Sequence, residues 1–165
     1  MEKIIWLLPT LFMLHDFEEI IFLKKWTKQK QGLLQRRFPV WGVRLLKHLD
    51  KCSTAAFAGG VAEEYVLLNI ITLHAWWADV YWLWFGTFMV FFLHLFMHLG
   101  QALFFRGYIP GVVTSLLVIF PCWLILQFVS EMFTLPQFVL YTLIGSVLVI
   151  VNILFLHYCM EKVSV

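Results

Sequence analysis

Five long apolar runs divide the chain, at about 4–23, 53–74, 80–105, 111–133 and 137–159, each close to the roughly 17–25 apolar residues a helix needs to cross the hydrocarbon core. They are apolar all round, whereas the strands of a transmembrane barrel alternate polar and apolar over about ten residues. The pattern predicts an all-α integral membrane bundle of five transmembrane helices, forming one membrane domain over residues 1–165. The punctuation between the runs is polar: the basic stretch Lys24–Lys51, expected as a cytoplasmic loop over 24–52, then the Trp-rich turn His74–Asp79, Arg106–Gly111 and Ser130–Gln137. The fourth run has no charge before Glu131, and Pro121 predicts a kink in it. That helix reads as scaffold, peripheral to any polar site.

Met1-Glu2-Lys3 before an apolar run looks like the start of a signal peptide. No small-x-small cleavage site follows, and His15, Glu18 and Glu19 interrupt the run. A retained first helix is the expectation.

Composition agrees with the pattern. Of the 165 residues, 62% are hydrophobic and 13% charged, against about 25% charged in an ordinary soluble domain. A single domain of this length could not hide so much apolar surface from water.

Charge placement adds orientation. The segment after the first run carries Lys24, Lys25, Lys28, Lys30, Arg36, Arg37, Arg44, Lys47 and Lys51, and five crossings put Arg106 and Lys162 on the same side. Eleven of the 12 basic residues therefore share one face, with only Lys3 opposite. Basic loops stay cytoplasmic, so a multi-pass protein of the cell membrane is expected, N-terminus outside and C-terminus cytoplasmic. This asymmetry accounts for the net charge of +2. The expected partners are membrane lipids, with a possible homodimer and no nucleic acid. Cys52, Cys122 and Cys159 are isolated, so neither a disulfide framework nor a thiolate zinc site is indicated.

Phe38, Trp41, Leu45 and Leu49 recur at helical spacing, with Arg37, Arg44, Lys47, His48 and Lys51 on the other face. That predicts a basic amphipathic helix in the cytoplasmic headgroup layer, the alternative being a plain basic linker. Trp76, Trp77, Tyr81, Trp82 and Trp84 read as an aromatic belt at the outer interface rather than as a ligand cage.

Ionisable side chains within a membrane helix cost several kcal/mol unless paired, hydrated or bound to metal. The first run holds His15-Asp16-Phe17-Glu18-Glu19, the two glutamates straddling the helix face of His15. The second holds Glu63-Glu64, after Ala55, Ala56, Gly59 and Gly60, whose small size lets a neighbouring helix approach. The third presents His94 and His98 one turn apart, with Gln101 continuing their face. Measured from the cytoplasmic end of each helix, His15 lies ~12 Å deep, Glu19 ~6 Å, Glu63 and His94 ~15–16 Å, and His98 ~10 Å. Three helices thus place His and Glu in one slab.

Such a set suits a divalent ion with nitrogen and oxygen ligands, namely zinc, iron or manganese. His15, Glu18, Glu63, His94 and His98 are the expected ligands, with Glu19 and Glu64 as the catalytic carboxylates. Asp16 is close enough around the helix to orient a ligand. Two plainer readings stay open: Glu18 and Glu19 snorkel toward the basic loop, or the cluster is a metal-free hydrogen-bond or proton-relay network. Asn152 fits either the cluster or a helix-packing bond, and His157 reads as an interfacial residue. Helical bundles build di-metal centres from Glu and His, but His before Glu here departs from the Glu-x-x-His order of the ferritin-like class.

His15-x-x-Glu18-Glu19 in a first helix, with Glu63-Glu64, His94-x-x-x-His98 and the Arg106-x-Tyr108-x-Pro110-Gly111 turn, resembles the HXXEE-motif family of small multispanning membrane proteins. The resemblance covers most of the chain. It implies a membrane domain and supplies no substrate.

Two function classes follow. One is a metal-dependent membrane hydrolase, with a glutamate as general base, a lipid or membrane-embedded substrate, and Arg106 holding a phosphate. Positive-inside anchoring is the plainer reading of Arg106, and no His-Glu-x-x-His motif is present. The other class is metal or proton translocation through the same cluster, for which five spans without duplicated halves would need a dimer. A non-catalytic membrane subunit is a third reading.

Overall fold

The computed structural model describes residues 3–40, Val43, Leu46 and 53–163, the last four by backbone alone. Among the described residues there are five α-helices and no strand: α1 Leu7–Arg37, α2 Thr54–Ala78, α3 Trp82–Phe105, α4 Val112–Ser130 and α5 Leu135–Val163.

Four of them, α2 to α5, are long and apolar enough to cross a membrane. By that criterion α1 is not, because Asp16, Glu18, Glu19, Lys24 and Lys25 interrupt it. Its packing explains how it enters the bundle. Ile5 accepts a hydrogen bond at its carbonyl from Trp84 Nε1 (3.1 Å), Phe12 meets Phe91, and Trp26 meets Phe105. Each pair is separated by the same 79 residues, so α1 and α3 run parallel and in step for the length of α3. A helix that accompanies a membrane-crossing neighbour from end to end crosses with it. His15, Asp16 and Glu18 of α1 are buried and Glu19 is half-buried, so protein, not lipid, covers them.

Three helices extend past the sequence reading. α1 continues through the basic stretch to Arg37 instead of yielding to a loop at residue 24. Lys, Gln, Leu and Arg are strong helix formers, and the helix closes where the Phe38 N–H reaches the Leu34 carbonyl, just before Pro39. This extension packs on the end of α3, with the Arg37 guanidinium 4.2 Å from the Phe104 ring centroid. The amphipathic helix expected from Phe38 onward lies mostly outside the described residues, which include only 38–40, Val43 and Leu46 of that stretch. α2 runs on to Ala78, so most of the stretch expected as the His74–Asp79 turn is helical and the chain turns at Asp79, and α5 runs to Val163.

α3 is the central helix: Trp84, Phe85, Phe88, Phe91, Phe92 and Leu95 are all buried. Trp84 is therefore a core residue, not part of the interfacial belt, while Trp76, Trp77 and Trp82 are exposed. The largest helix–helix contact joins α3 to α5, and it forms where Gly86 and Gly145 let the backbones touch. A Cβ on Gly86 would lie 2.5 Å from the Tyr141 carbonyl oxygen. The outward faces stay apolar, with Leu116, Leu117, Phe120 and Trp123 on α4 and Leu143, Val147, Val151 and Leu154 on α5 all exposed. That much contiguous exposed apolar surface has lipid as its natural solvent.

Candidate metal centre

The in-step pairing of α1 with α3 brings one turn of each helix into register in the middle of the bundle. His15 and Glu19 sit at i and i+4 on α1, His94 and His98 at i and i+4 on α3, so each pair projects from one face. The four side chains converge. His15, Glu19, His94 and His98 each offer one ligand atom, and these atoms all lie within 4.8 Å of one another. Glu19 Oε1 is 2.8 Å from His98 Nε2, 3.8 Å from His94 Nε2 and 3.9 Å from His15 Nε2. The Nε2 atoms of His94 and His98 are 2.9 Å apart. A tetrahedral ion with bonds of ~2.0–2.1 Å holds its ligand atoms ~3.3 Å apart, which falls inside the 2.8–3.9 Å spread about Glu19. The cluster could hold a metal ion.

Burial is graded across the set. His15 is fully buried, its Nε2 without a hydrogen-bond partner among the described residues, and His98 Nδ1 is likewise unpartnered. Glu19 is half-buried, and His94 is the open side, with 35% of its side chain accessible. Leu93, Phe96 and Met97, which flank His94 on α3, are exposed apolar residues.

The floor of the site is the start of α4. Gly111 adopts a left-handed conformation (φ 88°) and lies against two of the imidazoles. A Cβ there would fall 2.8 Å from His98 Cε1 and 3.0 Å from His15 Cε1. Glycine is required twice over, by the backbone angle and by the space. With glycine at the N-cap, α4 has no side-chain cap of its own, and its first N–H groups need another acceptor. Glu18 of α1 provides it. Its carboxylate accepts from the Thr114 N–H (2.8 Å), the Thr114 hydroxyl (2.6 Å), the Val113 N–H (3.4 Å) and the Tyr108 hydroxyl (2.8 Å). A negative charge at a helix N-terminus is also favoured by the helix dipole. Partial burial and the bond to Glu18 hold the Tyr108 phenol above its ordinary pKa, so it stays a donor. The Tyr108 carbonyl in turn accepts from Trp26 Nε1 at 2.7 Å, tying the Arg106–Gly111 turn to α1.

Residues 6–126 match the family described as protein of unknown function with HXXEE motif. The chain belongs to this family. No curated protein and no solved structure matches it.

The three residues of the HXXEE motif divide their work. His15 and Glu19 face the convergence point, and Glu18 turns away to cap α4. The sequence reading placed Glu18 among the ligands and Glu19 among the catalytic groups, whereas the geometry brings Glu19 to the three histidines. Glu63 is not at the cluster either. It is exposed and accepts from Asn152 Nδ2 of α5 at 3.1 Å, so Asn152 pairs with Glu63 and not with the histidines. Glu64 is half-buried on α2, within electrostatic reach of Glu19 and Asp16. Asp16 is buried, and its Oδ2 has no hydrogen-bond partner among the described residues. Arg106 is exposed at the C-terminus of α3, in a left-handed conformation (φ 51°).

α4 was expected to stand apart from the polar cluster as scaffold. Instead its first turn forms the cluster's floor, because an uncapped helix start needs an acceptor and Glu18 is within reach. Gly111 and Thr114 were missed for this reason. The signal available was the absence of Ser, Thr, Asp or Asn at the position preceding the fourth apolar run.

Proposed function

We propose that this protein is a metal-dependent membrane hydrolase whose divalent ion is held by His15, His94, His98 and Glu19. The observation that carries the reading is the convergence of three imidazoles and one carboxylate inside a membrane bundle, with a fully buried, unpartnered nitrogen aimed into it. Nitrogen and oxygen donors without sulfur favour zinc, iron or manganese. A bound ion lowers the pKa of a water and polarises an acyl or phosphoryl oxygen.

The remaining residues supply binding and proton transfer. Glu64, half-buried on the α2 side of Glu19, is the general base, and Asp16 lies in the same carboxylate group. Access is from the His94 side, across Leu93 and Met97, so the substrate carries apolar chains and enters laterally from the lipid. Arg106 follows His98 by eight residues on the same helix, ~12 Å nearer its end, and contacts an anionic headgroup. The basic end of the bundle, with the α1 extension and Arg106, faces the cytoplasm.

The test uses the purified full chain in proteoliposomes containing carboxylic-ester and phosphoester lipids. Chelator-sensitive release of product, lost in Glu64→Gln, is the expected result. No turnover on either ester class, together with metal or proton flux across the sealed vesicles, would replace hydrolysis with translocation.

A further inference from the structure

We infer that Thr114 is a positioning residue that fixes the His15 imidazole with its proton on Nδ1, leaving a bare Nε2 aimed at Glu19, His94 and His98. The argument is one of hydrogen counting. A threonine hydroxyl has one proton to donate and two lone pairs to accept with. Thr114 Oγ1 lies 2.6 Å from Glu18 Oε2, a shorter contact than the 3.2 Å to the Gly111 carbonyl or the 3.4 Å to the His15 carbonyl. Glu18 already receives backbone N–H groups and the Tyr108 phenol, so it is the acceptor in this contact too. The hydroxyl proton is then committed to Glu18. Thr114 Oγ1 can only accept from its remaining neighbour, His15 Nδ1 at 3.2 Å. A neutral imidazole has one N–H, so Nε2 is left unprotonated.

The far side of the ring gives the same answer independently. A proton on Nε2 would be a buried donor with no partner, the nearest carboxylate oxygen being Glu19 Oε1 at 3.9 Å. A buried donor left unpaired in this way loses its water without a replacement partner. The chain Glu18, Thr114, His15 thus links the two ends of the His-x-x-Glu element through a residue of α4. An acidic group two bonds removed orients the ring, as outer partners do for metal-binding histidines.

The consequence for affinity rests on the metal reading above, because only a bare nitrogen binds an ion. The tautomer itself does not. Nitrogen-15 spectra of the metal-free full chain, with the His15 signal assigned by its loss in His15→Ala, report the tautomer directly. Zinc titration of the same samples reports the affinity. Thr114→Val keeps the side-chain shape and the backbone N–H that caps onto Glu18, while removing only the hydroxyl. The wild type should show Nδ1–H. Thr114→Val should show mixed tautomers and zinc binding ~10–100-fold weaker, and Thr114→Ser should restore both. A wild-type His15 protonated at Nε2 overturns the inference, even if Thr114→Val fails to fold. So does a folded Thr114→Val with unchanged tautomer and affinity. A wild type with Nδ1–H that takes up no zinc, iron(II) or manganese(II) supports the inference and removes the metal reading instead.

Discussion

Glu18 and Glu19 are adjacent acids with different neighbours, so replacing each should fail differently. Glu19→Gln removes the carboxylate that faces three imidazoles while leaving the start of α4 capped. It should weaken metal binding and change thermal stability in the metal-free protein little. Glu18→Gln leaves the four donor side chains in place but weakens the cap, at a cost of about 0.5–2 kcal/mol by analogy with other N-caps. Thermal unfolding of chelated samples beside zinc titration separates the two, and equal losses of stability in both variants would contradict this division. The histidines were legible in the sequence because ionisable residues in apolar runs are conspicuous. Which of the two glutamates turns inward was not, since positions three and four residues on from His15 straddle its face equally. The answer depends on where α4 begins, whose Val113 and Thr114 N–H groups lie 95 and 96 residues further along the chain.

At the scale of the element, α4 depends on a glycine it cannot exchange. Gly111→Ala would put a Cβ against His98 and His15 at a left-handed backbone position, where a side chain alone costs roughly 1–2 kcal/mol. The substitution should lower the unfolding temperature and weaken metal binding together, because the ring edges that must move belong to two donors. Gly107→Ala is the control, since nothing lies within 4 Å of the added atom and the residue has no left-handed requirement. Equal metal affinity in Gly111→Ala and the control would show that α4 does not shape the site. Helices α2 to α5 were readable from length and apolarity. The continuation of α1 to Arg37 was not, because positive charge marks which side of the membrane a segment occupies, not whether it is helical. Pro121 likewise sits within a continuous α4, where neighbouring helices can accommodate its freed backbone carbonyl.

For the molecule as a whole, the parallel pairing of α1 with α3 makes a charged helix part of a membrane bundle. It also puts the basic extension of α1 and Arg106 at the same end of the bundle, the end that the positive-inside rule expects in the cytoplasm. A Cys placed at Lys30 in a cysteine-free background should resist impermeant reagents in intact cells and react after permeabilisation. Strong labelling from outside would reverse the orientation. Gly145→Leu should loosen α3 from α5, because its side chain would meet the Gly86 backbone. The expected outcome is a clear fall in unfolding temperature, and an unchanged one would mean that this glycine contact does not hold the bundle together. The claim on which the functional reading stands is that the four converging side chains bind an ion. Elemental analysis of the purified full chain, joined to X-ray absorption at the edge of the metal found, tests it most directly. The account predicts about one divalent ion per chain, bound by nitrogen and oxygen at ~2.0–2.2 Å, and its loss in a folded His94→Ala variant. A chain that carries no ion and takes up none from zinc, iron(II) or manganese(II) would contradict it.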